Sequence, residues 1–170
     1  MAEIIKTYKQ SMEEARFIGK KYGDSDRVDG GFGAKWEEWF ANGWFDAIDS
    51  VIDKNAGAIC EDGDAPVGLQ RWKDDEPFAY WIGKFTPANT AVPEGFQCKD
   101  FPKSTLGVCW VFGEDVFFKE PECGQRLIQE GMDILNDENG ACWFFERYAP
   151  SRFNEKDEKE TLDICYFIKS

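Results

Sequence analysis

Apolar and polar positions alternate in two runs near the start of the chain, EIIKTYK (3–9) and EARFIGKKY (14–22), the period-two pattern of half-buried strands. An Asp- and Gly-rich loop, DSDRVDGGFG (24–33), follows. The period then changes: Trp36, Trp39, Phe40, Trp44, Ala47, Ile48, Val51 and Ile52 recur at helical spacing, which predicts an amphipathic helix over 35–54. Asn42-Gly43 is its weak point, where it can split into two helices. Strand patterning returns in VGLQRW (67–72) and FAYWIGKF (78–85), and TPANTAVPE (86–94) reads as a linker. Beyond it, GFQCKDF (95–101) and TLGVCWVF (105–112) predict two strands. A second helix is predicted over 121–135, with Pro121 in its first turn and Cys123, Leu127, Ile128, Ile134 and Leu135 as its apolar stripe. ACWFFERY (141–148) and LDICYFI (162–168) are the last two strands.

The order strand–strand–helix–strand–strand thus occurs twice. It predicts an α+β fold in a single domain, 1–170, with pseudo-repeats at about 1–86 and 94–170. Pairing two antiparallel-sheet halves, one main helix each, buries their open faces and leaves a central cleft along the pseudo-twofold axis.

Composition narrows the function. The chain has 42% hydrophobic and 31% charged residues, as a soluble globular protein does, and 16% aromatics, which supply flat apolar surface for cores and pockets alike. A formal net charge of −13 argues against direct contact with nucleic acid or anionic membrane, both of which need basic surface. There is no histidine, which removes the commonest general base and metal ligand. Cys60, Cys98, Cys109, Cys123, Cys142 and Cys165 show no short ligand spacing, so neither a metal site nor a cofactor is expected. With no apolar signal core, free thiols in a cytoplasmic protein are expected. No serine-nucleophile elbow, phosphate loop or zinc-protease motif is present.

One position carries candidate chemistry. Alternation in 141–148 puts Glu146 on the same strand face as Cys142, Phe144 and Tyr148. A carboxylate among apolar neighbours needs a partner or a proton. Three readings stand: a salt bridge to Lys or Arg, an external cationic or polar ligand, or a water to be activated. Asp163 is a candidate second carboxylate. Tyr80, Trp81, Trp110, Phe112, Trp143 and Tyr166 lie on strands whose two parities face helices or cleft, and the pattern leaves open which. Trp36, Trp39 and Trp44 share the first helix stripe, with Trp39 or Trp44 available for the rim.

These landmarks together resemble the GyrI-like small-molecule-binding family, the effector-binding domain of AraC- and MerR-type transcription regulators. Ile82-Gly83, Val92-Pro93-Glu94-Gly95 and the strand pair opening at Pro102 follow the family order. FFERYAP is similar to its acidic strand, with Glu146 and Tyr148 at the matching positions, and KWEEWF looks like its first helix. Where the family's last strand usually carries proline, this chain has Phe167. The resemblance implies a tandem β-α-β-β fold whose cleft binds hydrophobic, often cationic, aromatic compounds over that glutamate. The expected function is therefore drug or toxin sequestration or ligand sensing, with Glu146, Tyr80, Trp81, Trp110, Phe112, Trp143, Tyr166 and Trp39 as ligand-binding residues. An alternative is a cofactor-free hydrolase of cyclopropane-containing DNA-alkylating antibiotics or similar strained electrophiles, with Glu146 and Tyr148 as catalytic residues. A third is a protein-binding module like a gyrase inhibitor, with a topoisomerase or a regulator as partner.

Overall fold

The computed structural model describes residues 1–154 and 156–170. The alternating segments form β1 (Glu3–Met12), β2 (Ala15–Tyr22), β3 (Val67–Trp72), β4 (Ala79–Pro87), β5 (Gln97–Phe101), β6 (Ser104–Gly113), β7 (Cys142–Arg147) and β8 (Glu160–Ile168). The helices are α1 (Gly33–Ala41), α2 (Trp44–Asp49) and α3 (Glu120–Gln129). The first helical segment does split at Gly43, whose left-handed φ of 64° breaks the ladder, and α2 ends at Asp49, short of residue 54. α3 also ends earlier than its apolar stripe suggests. Gly131 takes φ 89°, its N–H bonds the Ile128 carbonyl, and the Met132 N–H bonds the Leu127 carbonyl, each at 3.0 Å. That pair of bonds is a Schellman closure. Ile134 and Leu135 then run extended beside β8, where the Leu135 N–H bonds the Phe167 carbonyl at 2.8 Å.

All eight strands join one antiparallel sheet in the order β1-β6-β8-β7-β3-β4-β2-β5, symmetric about the β7–β3 contact. The two halves share this sheet because each lends its first strand to the other: β1 pairs with β6, and β5 with β2. Phe101 on β5 stacks on Phe167 of β8 with ring centroids 5.0 Å apart. In a flat sheet five strand spacings would hold them about 24 Å apart, so the sheet curls around that face.

Register decides what each face carries. The row Trp81–Leu69–Phe145–Cys165–Val108–Tyr8 lies on the inside of the curl. There Phe17, Trp81, Phe85, Phe101, Trp143, Phe145 and Phe167 pack into the main core. The opposite row, Tyr80–Gln70–Phe144–Tyr166, faces the helices. α1 and α2 cover β2 and β4 through Trp39, Phe45 and Ile48; α3 covers β6 and β8 through Cys123 and Leu127. Between the two helical layers the middle strands, β3 and β7, are left without a helix above them. Among the described residues no helix is long and apolar enough to cross a membrane.

Candidate functional site

That gap is a cavity of about 820 Å³, floored by β3, β4 and β7 and walled by α1 and the start of α3. Glu146 on β7 points into it and is 7% exposed. Its position depends on a glycine. Gly68 is the register partner of Glu146 on β3, and a Cβ there would overlap both the Glu146 carboxylate and the Tyr80 hydroxyl. The Tyr80 hydroxyl donates to Glu146 Oε1. Trp36 Nε1 donates to the Tyr80 oxygen at 2.9 Å. An indole N–H can only donate, so it takes an acceptor site on the Tyr80 oxygen and leaves the Tyr80 proton free for the carboxylate. The Tyr148 hydroxyl is a second partner of Glu146.

Burial, reinforced by the charge of Glu120 on the same cavity, pushes the Glu146 carboxyl up to about 7, against the opposing effect of its tyrosine donors. Burial likewise holds the Tyr80 and Tyr148 hydroxyls well above their ordinary range, and the Glu146 charge adds to it. No Lys or Arg pairs with Glu146 among the described residues. Among the described residues the site is therefore a buried acid held by hydroxyl groups and not by a cation, its carboxyl pushed up to about 7.

The walls are aromatic. Phe32 stacks on Tyr80 at 4.2 Å with planes 2° apart, and Trp36 meets Tyr148 edge-on at 4.8 Å. Phe153 also meets Tyr148 edge-on, at 4.8 Å. At the mouth, Phe118 is held outward at a left-handed φ of 61° and is 72% exposed. Its ring lies 3.9 Å from the point where a Gly31 side chain would begin, so the two helical layers approach each other there.

Of the residues singled out in the sequence, the structure brings Glu146, Tyr80 and Tyr148 together on this cavity. The other candidate ligand-binding residues, and Trp44 and Asp163, do not reach it, for reasons of parity and helix phase. Trp81 and Trp143 project from the opposite sheet face into the main core. Trp110 shares that face, its Nε1 bonded to the Tyr8 hydroxyl at 3.2 Å and the Arg152 guanidinium over its ring; Phe112 follows at the same parity. Tyr166 faces the helices but lies under α3, stacked on Phe144, with its hydroxyl on the Glu120 carbonyl at 2.8 Å. Trp39 is fully buried between α1 and Tyr22, and Trp44 lies under the Lys20 ammonium. Asp163 lies on the inner face, paired with Arg147 at 2.8 Å and bonded to Arg152.

Phe32, Trp36, Gln70 and Glu120 also line the cavity and Gly68 lies against Glu146, none of them expected there from the sequence. A glycine inside a strand pattern does signal close approach of another group, so Gly68 was detectable. Trp36 lies one turn from Trp39, and only the docked helix shows which of the two overhangs the gap.

No family model matches the chain, and no curated protein matches it in sequence. Solved structures do match in fold. One is SAV2435 bound to tetraphenylphosphonium, at 17% identity and TM-score 0.67 over 98% of this chain and 95% of that one. A second is a protein from Staphylococcus aureus MU50 described as a candidate bacterial transcription regulation protein, at 15% identity and TM-score 0.64 over 98% and 99%. A third is EcmrR in its DNA complex, at 9% identity and TM-score 0.57 over 97% of this chain and 57% of that one. The chain shares the fold of these structures, which fits the GyrI-like resemblance of its sequence.

Proposed function

We propose that this protein binds small hydrophobic aromatic cations in the cleft between its helical layers, with Glu146 at the floor, as a sequestering or sensing protein. The observation that carries the reading is an acid, 7% exposed and with no Lys or Arg partner among the described residues, at the base of an aromatic cavity of about 820 Å³. That volume lies within the range of drug-sized ligand sites. A cation entering supplies the charge partner that the fold withholds, and the flanking rings add cation–π contacts of about 0.5–2 kcal/mol each. A net charge of −13 favours cations in the surrounding field. SAV2435, of the same fold, is a protein bound to such a cation.

Calorimetric titration with tetraphenylphosphonium and with a neutral triphenyl analogue tests this. Wild type should prefer the cation, and Glu146→Gln should sharply reduce the preference while neutral binding persists. Equal affinity of wild type for both compounds would refute the electrostatic basis of the reading.

A second reading rests on the carboxyl pushed up to about 7, which suits a general base. In it, Glu146 takes a proton from water as the water oxygen attacks a strained ring carbon. Tyr148 or Tyr80 gives a proton to the carbon released by ring opening, and the proton taken up by Glu146 then passes to that tyrosine, so that one water is added in all. Incubation with a cyclopropane electrophile then yields a product heavier by one water, and Glu146→Gln abolishes it. Recovery of the electrophile unchanged at the spontaneous rate rules this out.

A further inference from the structure

A second acid lies on the same cavity. Glu120 opens α3, where the unsatisfied N–H groups of the first turn favour a negative side chain. Like Glu146, it makes no ion pair with Lys or Arg among the described residues. Its Oε1 accepts one long bond, 3.3 Å, from Nε2 of Gln70. Gln70 is itself only 8% exposed and lines the cavity, so this part of the wall is polar by construction.

Register sets the spacing. Gly68 lies opposite Glu146, and Gln70 lies two residues along β3 on the same face, a step of about 7 Å. Glu146 thus stands at Gly68 and Glu120 meets the wall at Gln70, one strand repeat further along β3, on a cavity that Phe32, Trp36 and Tyr148 also line. The charge on Glu120 adds to burial in opposing ionisation of Glu146. The cationic residues on the rim do not cancel this. Arg27 is bonded to Asp24 at 2.9 Å, and Lys156 is exposed to solvent.

We propose that the cavity accepts a flat aromatic dication, one charge held at Glu146 and the other at Glu120 with Gln70 beside it. This rests on the cation-binding reading above and specifies its ligand class. Two charges at the two ends of a rigid ring system relieve both carboxylates at once, which a single charge at the floor does not.

Three compounds of one shape separate the possibilities: bipyridine, N-methyl phenylpyridinium and methyl viologen carry no charge, one and two respectively. Each is titrated calorimetrically into wild type, Glu120→Gln and Glu120→Asp at about pH 8.5, where Glu146 is ionised in all three. Wild type should bind the dication at least about tenfold more tightly than the monocation. Glu120→Gln should reduce that ratio to within about threefold, and Glu120→Asp, which keeps the charge, should largely preserve it. If wild type binds dication and monocation alike, or Glu120→Gln weakens both equally, the dication assignment is wrong while the cation reading stands. If bipyridine binds as tightly as both salts, the cation reading itself fails.

Discussion

Replacing Glu146 by Gln should stabilise the fold, and by an amount that depends on pH. The folded protein holds the Glu146 proton up to about pH 7, whereas an ordinary glutamate releases it near 4.5. Between those values the native state binds more protons than the unfolded one, so stability falls as pH rises. The contribution is fully present below 4.5 and lost once pH exceeds 7. At about 1.4 kcal/mol per pH unit, the loss is roughly 3 kcal/mol. Gln keeps an oxygen to accept from Tyr80 and carries no charge at any pH. The difference in stability between Glu146→Gln and wild type should therefore grow from a few tenths of a kcal/mol near pH 4.5 to about 3 kcal/mol near pH 8. For a chain of this size that is a gain in Tm of about 6–12 °C. Thermal melts followed by circular dichroism across that range check it. Parallel melting profiles for the two proteins would show that the carboxyl is not held protonated by its surroundings. The same titration should govern ligand capture, with cation affinity falling about tenfold per pH unit below 7 in wild type and staying flat in the variant.

Other substitutions separate floor, wall and core. Gly68→Ala places a methyl group where the Tyr80 hydroxyl and Glu146 meet; denaturant melts should show a loss of about 1–3 kcal/mol, and cation binding should fall by an order of magnitude. Trp81→Phe should leave cation affinity within about twofold, because its ring is on the opposite face and its Nε1 has no partner among the described residues. Trp36→Leu, by contrast, removes a cavity wall and the donor to Tyr80, and should weaken cation binding several-fold in the same titration. Arg147→Met strips the buried Asp163 of one partner and should cost about 3 kcal/mol in urea unfolding, the lower end for a buried pair because Arg152 still bonds Asp163.

Periodicity alone was enough to place the strands and the starts of the two helical segments, though not where those segments end. The switch from period two to helical spacing after residue 33, the break at Asn42-Gly43 and the doubled order of strands and helices all reappear in the structure. These are local properties: a side chain's alternation and a glycine's left-handed φ depend on a few neighbouring residues. The acid at the cavity floor was legible for the same reason, since an isolated carboxylate in an apolar strand stands out wherever that strand is placed. The end of α3 was local too, written in Gly131, but the apolar Ile134 and Leu135 hid it by continuing a helical stripe that they fill instead as extended chain against β8.

What alternation does not say is which face of the sheet is which. Trp81 and Tyr80 are adjacent and equally aromatic, yet one fills the core and the other bonds the acid. That assignment follows from the curl of the sheet, which brings β5 against β8 and turns the inner row into packed interior. The curl in turn follows from each half lending its first strand to the other, a contact between residues far apart in the chain. Trp36, Gly68, Gln70 and Glu120 became site residues only when three separate segments met across the gap between two helical layers. A linear pattern records periods along one segment; a cavity is a relation between segments, set by long-range register and docking.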